Sequence, residues 1–342
     1  MADPIITGSF YSIQMTNIWN AQYWNDECRD WGETNWRALV ADMREVGIDT
    51  IINKQMALWT RPLFPDPEMK VGKSVKLGCE DPAMVIADEA ARRGMKVWYA
   101  LGMWGRDSEV ADYHALRKPW PDQWFEWNVA LAEALMERYA DTESFAGFYL
   151  PLELSGDPDQ GDTAFNEEHI ELYTRWIREI RPVIGSTKLL ASPGILTPGD
   201  YSELSRQLER FDVDIIAYQD YAGRGQSRPE DYERIRRAGE AFELLAPVHR
   251  ETGVGLWANC ETFSRVDPPT WRPVSFTGEI DRIIYQLKVC SEPVDKVITW
   301  IYQGVWNKRT DRVNIGPPEA QKLYDDYVAY RRGVLGKPDE IG

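Results

Sequence analysis

Thr252-Gly253-Val254-Gly255-Leu256-Trp257-Ala258-Asn259-Cys260-Glu261 joins the end of a helix, a pair of glycines and a short apolar strand that finishes on an acid. Upstream, Pro229 to Arg250 reads as the helix. A glycine just past such a helix accepts the left-handed stop that other residues resist. Within the strand, alternation sets Trp257, Asn259 and Glu261 on one side. Helix, glycine, short strand is the grammar of a parallel sheet, whose strands need crossover connections.

The same order recurs along the chain. Asp81-Pro82 supplies an N-cap and a proline at the first helical position, Ala83 to Arg93 continues as helix, Gly94 ends it, and Lys96 to Leu101 is strand. Thr34 to Gly47 places Trp36, Leu39, Val40 and Met43 at helical spacing, with Thr34 as cap and Gly47 as stop. Strands are expected at Ile5 to Gln14, Thr50 to Met56, Lys96 to Leu101, Phe145 to Leu152, Lys188 to Ser192, Asp214 to Tyr218, Leu256 to Cys260 and Val297 to Tyr302. Helices are expected near Thr34 to Val46, Asp81 to Arg93, Asp122 to Tyr139, Asn166 to Ile180, Asp200 to Glu209, Pro229 to Arg250, Phe276 to Cys290 and Pro317 to Arg332. Strand and helix units in this number favour an α/β fold of the (β/α)8 TIM-barrel type over an open doubly wound sheet.

Loop lengths agree with that choice. The helix-to-strand turn Gly47-Ile48-Asp49 is tight, whereas the strand-to-helix loops Thr16 to Glu33, Trp59 to Glu80 and Met103 to Trp120 are long. In such a barrel the long loops all belong to the catalytic face. No linker or short-period repeat interrupts the pattern, so residues 1–335 are expected to form a single barrel domain and 336–342 a frayed tail.

The sequence carries 39 basic and 55 acidic residues, a formal charge of −16. Nucleic acid and anionic membranes recruit basic surfaces, so neither is expected as the main partner. No apolar run reaches transmembrane length, and the start Met-Ala-Asp-Pro lacks the basic and apolar regions of a signal peptide. As written the chain reads as cytoplasmic, or as exported if a signal peptide has been removed. Oligomeric state is not encoded in any local pattern. The four cysteines, Cys28, Cys79, Cys260 and Cys290, have no metal-ligand spacing and are expected as reduced thiols, with a Cys28 to Cys79 disulfide open to an exported chain.

Elimination narrows the chemistry. The three histidines, His114, His169 and His249, fall in expected loops or helices away from strand ends, and there is no His-x-His pair for a barrel metal site and no Gly-x-Ser-x-Gly elbow. The loops after the seventh and eighth strands, Glu261-Thr262-Phe263-Ser264-Arg265 and Gln303-Gly304-Val305-Trp306-Asn307, lack the glycine-rich turn of a phosphate site. What remains are acids at strand ends. Glu153 closes Phe148-Tyr149-Leu150-Pro151-Leu152 in the fourth unit, and Glu261 closes the seventh. Holding a carboxylate there is costly unless it is paired, solvated or used. Two carboxyl groups converging on one mouth are the minimum for glycoside cleavage, one to protonate the leaving group and one to attack or to activate water.

The other expected contacts are with a carbohydrate. Fifteen tryptophans are available, and the apolar faces of sugars stack on such rings while hydroxyls bond to polar groups. Tyr11, Trp59, Trp104, Tyr218, Trp257, Trp271, Trp300 and Tyr302 are the aromatic candidates, with Asn53, Gln55, Asp220 and Asn259 as polar ones. No cofactor is required for this chemistry.

Gly8-Ser9-Phe10-Tyr11, Gly147 to Glu153, Tyr218-Gln219-Asp220 and Asn259-Cys260-Glu261 together resemble the clan of barrel glycoside hydrolases with a proton donor after strand four and a nucleophile after strand seven. Within it the chain looks closest to a bacterial barrel family recorded as a domain of unknown function, over nearly its whole length. The resemblance implies Glu153 as acid/base, Glu261 as nucleophile and a retaining mechanism. It departs at Leu152, where the clan has an asparagine that contacts the sugar 2-hydroxyl. Two rival readings stay open: a metal-dependent sugar isomerase or epimerase with Glu153, Asp220 and Glu261 as ligands, and a non-catalytic carbohydrate-binding barrel.

Overall fold

The structure is a computed structural model that describes residues 4–13, 26–58, 60–102, 120–156, 161–224, 229–266 and 274–336. Its centre is a closed barrel of eight parallel strands. They are β1 (Gly8–Tyr11), β2 (Thr50–Asn53), β3 (Lys96–Ala100), β4 (Phe145–Leu150), β5 (Leu189–Ala191), β6 (Ile215–Gln219), β7 (Gly255–Glu261) and β8 (Lys296–Trp300). Each pairs with the next in the chain, and β1 closes onto β8 through Gly8 with Ile298 and Ser9 with Thr299. The main helices are α1 (Glu33–Glu45), α2 (Pro82–Arg92), α3 (Asp122–Tyr139), α4 (Glu167–Ile184), α5 (Ser202–Arg210), α6 (Pro229–Thr252), α7 (Ile280–Cys290) and α8 (Pro318–Leu335).

The expected punctuation is present. Asp81 accepts a hydrogen bond from the Met84 N–H at 3.0 Å and Pro82 opens α2. Gly47, Gly94 and Gly253 all take positive φ, at 98°, 65° and 77°. The start of α1 differs, since Gly32 rather than Thr34 is the cap, and the Asn35 side chain reaches back to accept from the Gly32 N–H at 3.0 Å. Helix α4 runs beyond its expected end, carrying Pro182 in its last turns. Residues Val274–Thr277 form a hairpin strand with Phe263–Val266, where helix had been expected from Phe276 onward. Gly278 then donates to the Thr262 carbonyl at 2.8 Å, which delays α7 to Ile280.

Strand register decides which side chains enter the barrel. Phe10 aligns with Ile52, Ile52 with Trp98, and Trp98 with Gly147. Paired residues of neighbouring parallel strands share a face. Trp98 meets Trp257 from the opposite side at 6.2 Å between centroids, and Phe10 lies 5.1 Å from both Tyr149 and Trp300. These aromatic layers fill the interior, as packed side chains do in barrels of this type. A side chain at Gly147 would strike the Trp98 ring and the Lys188 carbonyl, so glycine there makes room for the lower layer.

The alternate residues face the helices. Tyr218 on β6 is bonded to His249 of α6 and packs against Phe242. Tyr302, just past β8, packs on Trp306 and Tyr324. The four cysteines are buried free thiols. No helix among the described residues is long and apolar enough to cross a membrane.

Candidate active site

Strand β7 carries Glu261 as its last residue, aligned with Trp300 of β8. Its side chain is only 4% exposed. Burying a carboxylate costs several kcal/mol unless donors replace its water. The Gly223 N–H, in the turn after β6, supplies one at 2.8 Å to Oε2. Arg282 of α7, wholly buried, lies close enough for its charge to act on both Glu261 and Asp220, and its Nη2 is anchored by the Phe263 carbonyl at 2.9 Å.

Asp220 holds that corner from behind. Its Oδ1 accepts from the Glu261 N–H and the Ala222 N–H, each at 3.1 Å, and its Oδ2 accepts from Gln286 at 2.6 Å. Burial pushes the Asp220 carboxyl upward, against the pull of those donors and of Arg282. The side chain fixes the backbone at Glu261 and is itself 0% exposed.

Glu153 lies beyond the end of β4, which stops at Leu150, ahead of the expected Leu152. A proline cannot donate to the ladder, and Pro151 follows at once. Glu153 is exposed, while its neighbours Leu152 and Leu154 are buried and anchor the loop. Leu152 belongs to the core, and its carbonyl accepts from the Tyr173 hydroxyl. That position therefore offers nothing polar to a ligand.

Two further groups share the rim with Glu153. Burial lowers the Lys54 ammonium to about 8 and the Glu153 charge opposes that shift; burial raises the Tyr149 hydroxyl, and Glu153 adds to it. The Lys54 ammonium lies 4.5 Å over the Trp300 ring, a cation held on an aromatic face. Lys54 was missed from sequence, although it follows an apolar strand in the same way as the two glutamates. Arg282 and Gly223 were also missed, since nothing local marks them.

The remaining sequence candidates divide by position. Asn259 lies inside the barrel at 1% exposure, donating from Nδ2 to Ser192 Oγ at 3.0 Å, with no partner for Oδ1 among the described residues. Trp257 is inside but in the lower layer, against Trp98. Tyr11 and Asn53 lie side by side on the outer face, near Asp81 and Tyr99 of the helix side, and Gln55 is buried just past β2. Tyr218 and Tyr302 are in the helix layer, as described above. Trp59, Trp104 and Trp271 fall outside the described residues.

The barrel mouth thus brings together Glu153, Lys54, Tyr149 and Trp300, with Glu261 at the neighbouring end of β7. Among the described residues, the carboxylates, thiols and imidazoles grouped closely enough to share an ion are those of Asp220, Cys260 and Cys290, within 4.8 Å of one another. That trio is buried. The Cys290 thiol beside it, and then burial, push the Cys260 thiol well up. Glu153 and Glu261 do not join the group, so the reading in which they and Asp220 ligate one metal lacks its geometry.

The sequence model of a family described as "Domain of unknown function (DUF4434)" matches residues 6–310. No curated protein matches the chain. Among solved structures, a putative alpha-L-fucosidase from Bacteroides thetaiotaomicron VPI-5482 superposes with a TM-score of 0.67 at 19% identity, over 97% of this chain and 93% of that one. An endo-1,4-beta-mannanase from Rhizomucor miehei gives 0.54 at 10% identity, over 97% and 95%. The GH99 endo-alpha-mannosidase from Bacteroides thetaiotaomicron gives 0.52 at 11% identity, over 98% and 99%. At such identities the likeness is one of fold, a barrel shared with glycoside hydrolases.

Proposed function

The chain belongs to the DUF4434 family, and from that membership and the geometry of the barrel mouth we propose that it is a glycoside hydrolase acting on an oligo- or polysaccharide. The observation that carries the proposal is Glu261, a buried carboxylate fixed at the carboxyl end of β7 by the Gly223 N–H and by the backbone brace of Asp220. Active sites of this barrel class sit at that end of the strands. The glycosidases among the similar structures support the choice of reaction, with hydrolysis of fucosides or mannosides as starting substrates.

Glu261 suits the nucleophile. The Gly223 donor and the nearby Arg282 charge favour its ionised form, and a fixed carboxylate loses little freedom on attacking an anomeric carbon. Glu153 suits the acid/base, because its exposure lets it exchange its proton with solvent between the two half-reactions. Attack by Glu261 as Glu153 protonates the leaving oxygen gives a glycosyl-enzyme; water, deprotonated by Glu153, then releases the sugar with retained configuration. Lys54, held over the Trp300 ring, offers a donor to a sugar hydroxyl, and Asn259 Oδ1, without a partner among the described residues, an acceptor in place of the missing asparagine at Leu152.

Hydrolysis of a glycan panel that includes mannosides and fucosides tests this reading. Turnover by the wild type, with kcat reduced roughly 100- to 10,000-fold in Glu153→Gln and in Glu261→Gln, is the expected result. Wild-type turnover in both variants would sink the assignment.

A further inference from the structure

A cavity of about 620 Å³ opens beside the mouth, lined among others by Ser155, Asp162, Thr197, Tyr221, Arg234 and Arg237. That size lies within the range of small-ligand sites. Its walls include the loop that carries Glu153 and the turn whose backbone donates to Glu261. Ser155 and Gly156 stand two and three positions after Glu153, and Tyr221 two positions before Gly223, the donor to Glu261.

The wall is built with strain. Among the described non-glycine residues, Met69, Asp162 and Tyr221 adopt positive φ, and the last two, at 56° and 57°, both line this cavity. Such conformations are uncommon outside glycine and persist where surrounding structure enforces them. Here the enforcing contacts are visible. The Tyr221 ring occupies space that only glycine leaves free, since a Cβ on Gly194 would fall 1.6 Å from its hydroxyl oxygen. The Arg234 guanidinium reaches the Tyr221 carbonyl at 3.5 Å, and the Thr197 N–H bonds to the Asp162 carbonyl at 3.0 Å.

From this geometry we infer that the cavity is a second sugar subsite, which takes a neutral pyranose unit of the same chain that is cut at the mouth. The inference rests on the glycosidase reading. Charge favours a neutral sugar: two acids, Asp162 and Glu233, and two bases, Arg234 and Arg237, share the lining, and Arg234 is already paired with Asp231 at 3.1 Å and Glu233 with Arg236. An aromatic ring, short hydroxyls and both kinds of charged edge suit a ring with an apolar face and hydroxyl rim. The enzyme then reads at least one unit beyond the scissile bond, on the side of β4 to β6.

The test is equilibrium binding by titration calorimetry to the full chain carrying Glu153→Gln, with neutral manno- and gluco-oligosaccharides of one, two, four and six units. Affinity is expected to rise at least tenfold with length, and Thr197→Trp, which fills the cavity, to remove that rise. Arg237→Asp, at an exposed position, should weaken the long ligands several-fold and keeps the test independent of any folding defect. A length step unchanged by both substitutions, or no binding of any length, overturns the subsite. Wild-type turnover without a length step removes the subsite and leaves the glycosidase; a length step lost in the variants, without wild-type turnover, does the reverse.

Discussion

His249 shows how a single residue ties the helix layer to the barrel. Its Nδ1–H donates to the Val254 carbonyl at 3.0 Å, and its Nε2 accepts from the Tyr218 hydroxyl at 3.1 Å. Burial drives its pKa down to about 4, so the folded protein holds it neutral. In the unfolded chain it titrates near an ordinary value of about 6.5. The unfolded state therefore binds more protons between those values, and this group's contribution, complete above about 6.5, is lost as the pH falls toward 4. Roughly 2 kcal/mol should disappear between pH 7 and pH 5 on this account. Urea unfolding of the wild type and His249→Gln at both pH values checks it: the wild type should lose more stability on acidification than the variant, and equal losses would refute the assignment.

At the level of elements, punctuation was readable and orientation was not. Asp81 with Pro82, and the glycines at 47, 94 and 253, act through their own backbone geometry, which is local. Asp81 also accepts from the Tyr139 hydroxyl at 2.9 Å, joining α2 to α3. Asp81→Ala removes the cap, the Tyr139 bond and the ion pair with Arg138, and should cost about 2–3 kcal/mol, measured as a drop in unfolding free energy. By contrast, alternation splits each strand into two faces without saying which is inward; that depends on barrel closure. Tyr11 and Tyr218 went outward for this reason, while Tyr149 went in. Arg282 was illegible because its carboxylate neighbours come from β7 and the turn after β6, remote in sequence.

For the molecule as a whole, the count of units predicted the closed barrel, and the ends of β4 and β7 gave the glutamates their positions. How the mouth is furnished required the folded chain, since Lys54 meets Trp300 only when β8 closes toward β2 through β1. The aromatic layers inside make the barrel stable as a unit. Trp257→Ala would leave a void beneath Asn259 and against Trp98, and should cost roughly 3–5 kcal/mol in urea unfolding. Those same rings also govern traffic. Trp98 and Trp257 meet edge to face across the barrel, and Phe10 packs on Tyr149 in the layer toward the mouth, so aromatic rings fill the interior beneath the site. Anything that binds over Glu261 must arrive and depart by one doorway, so a cleaved fragment has to clear the threshold before its replacement can enter.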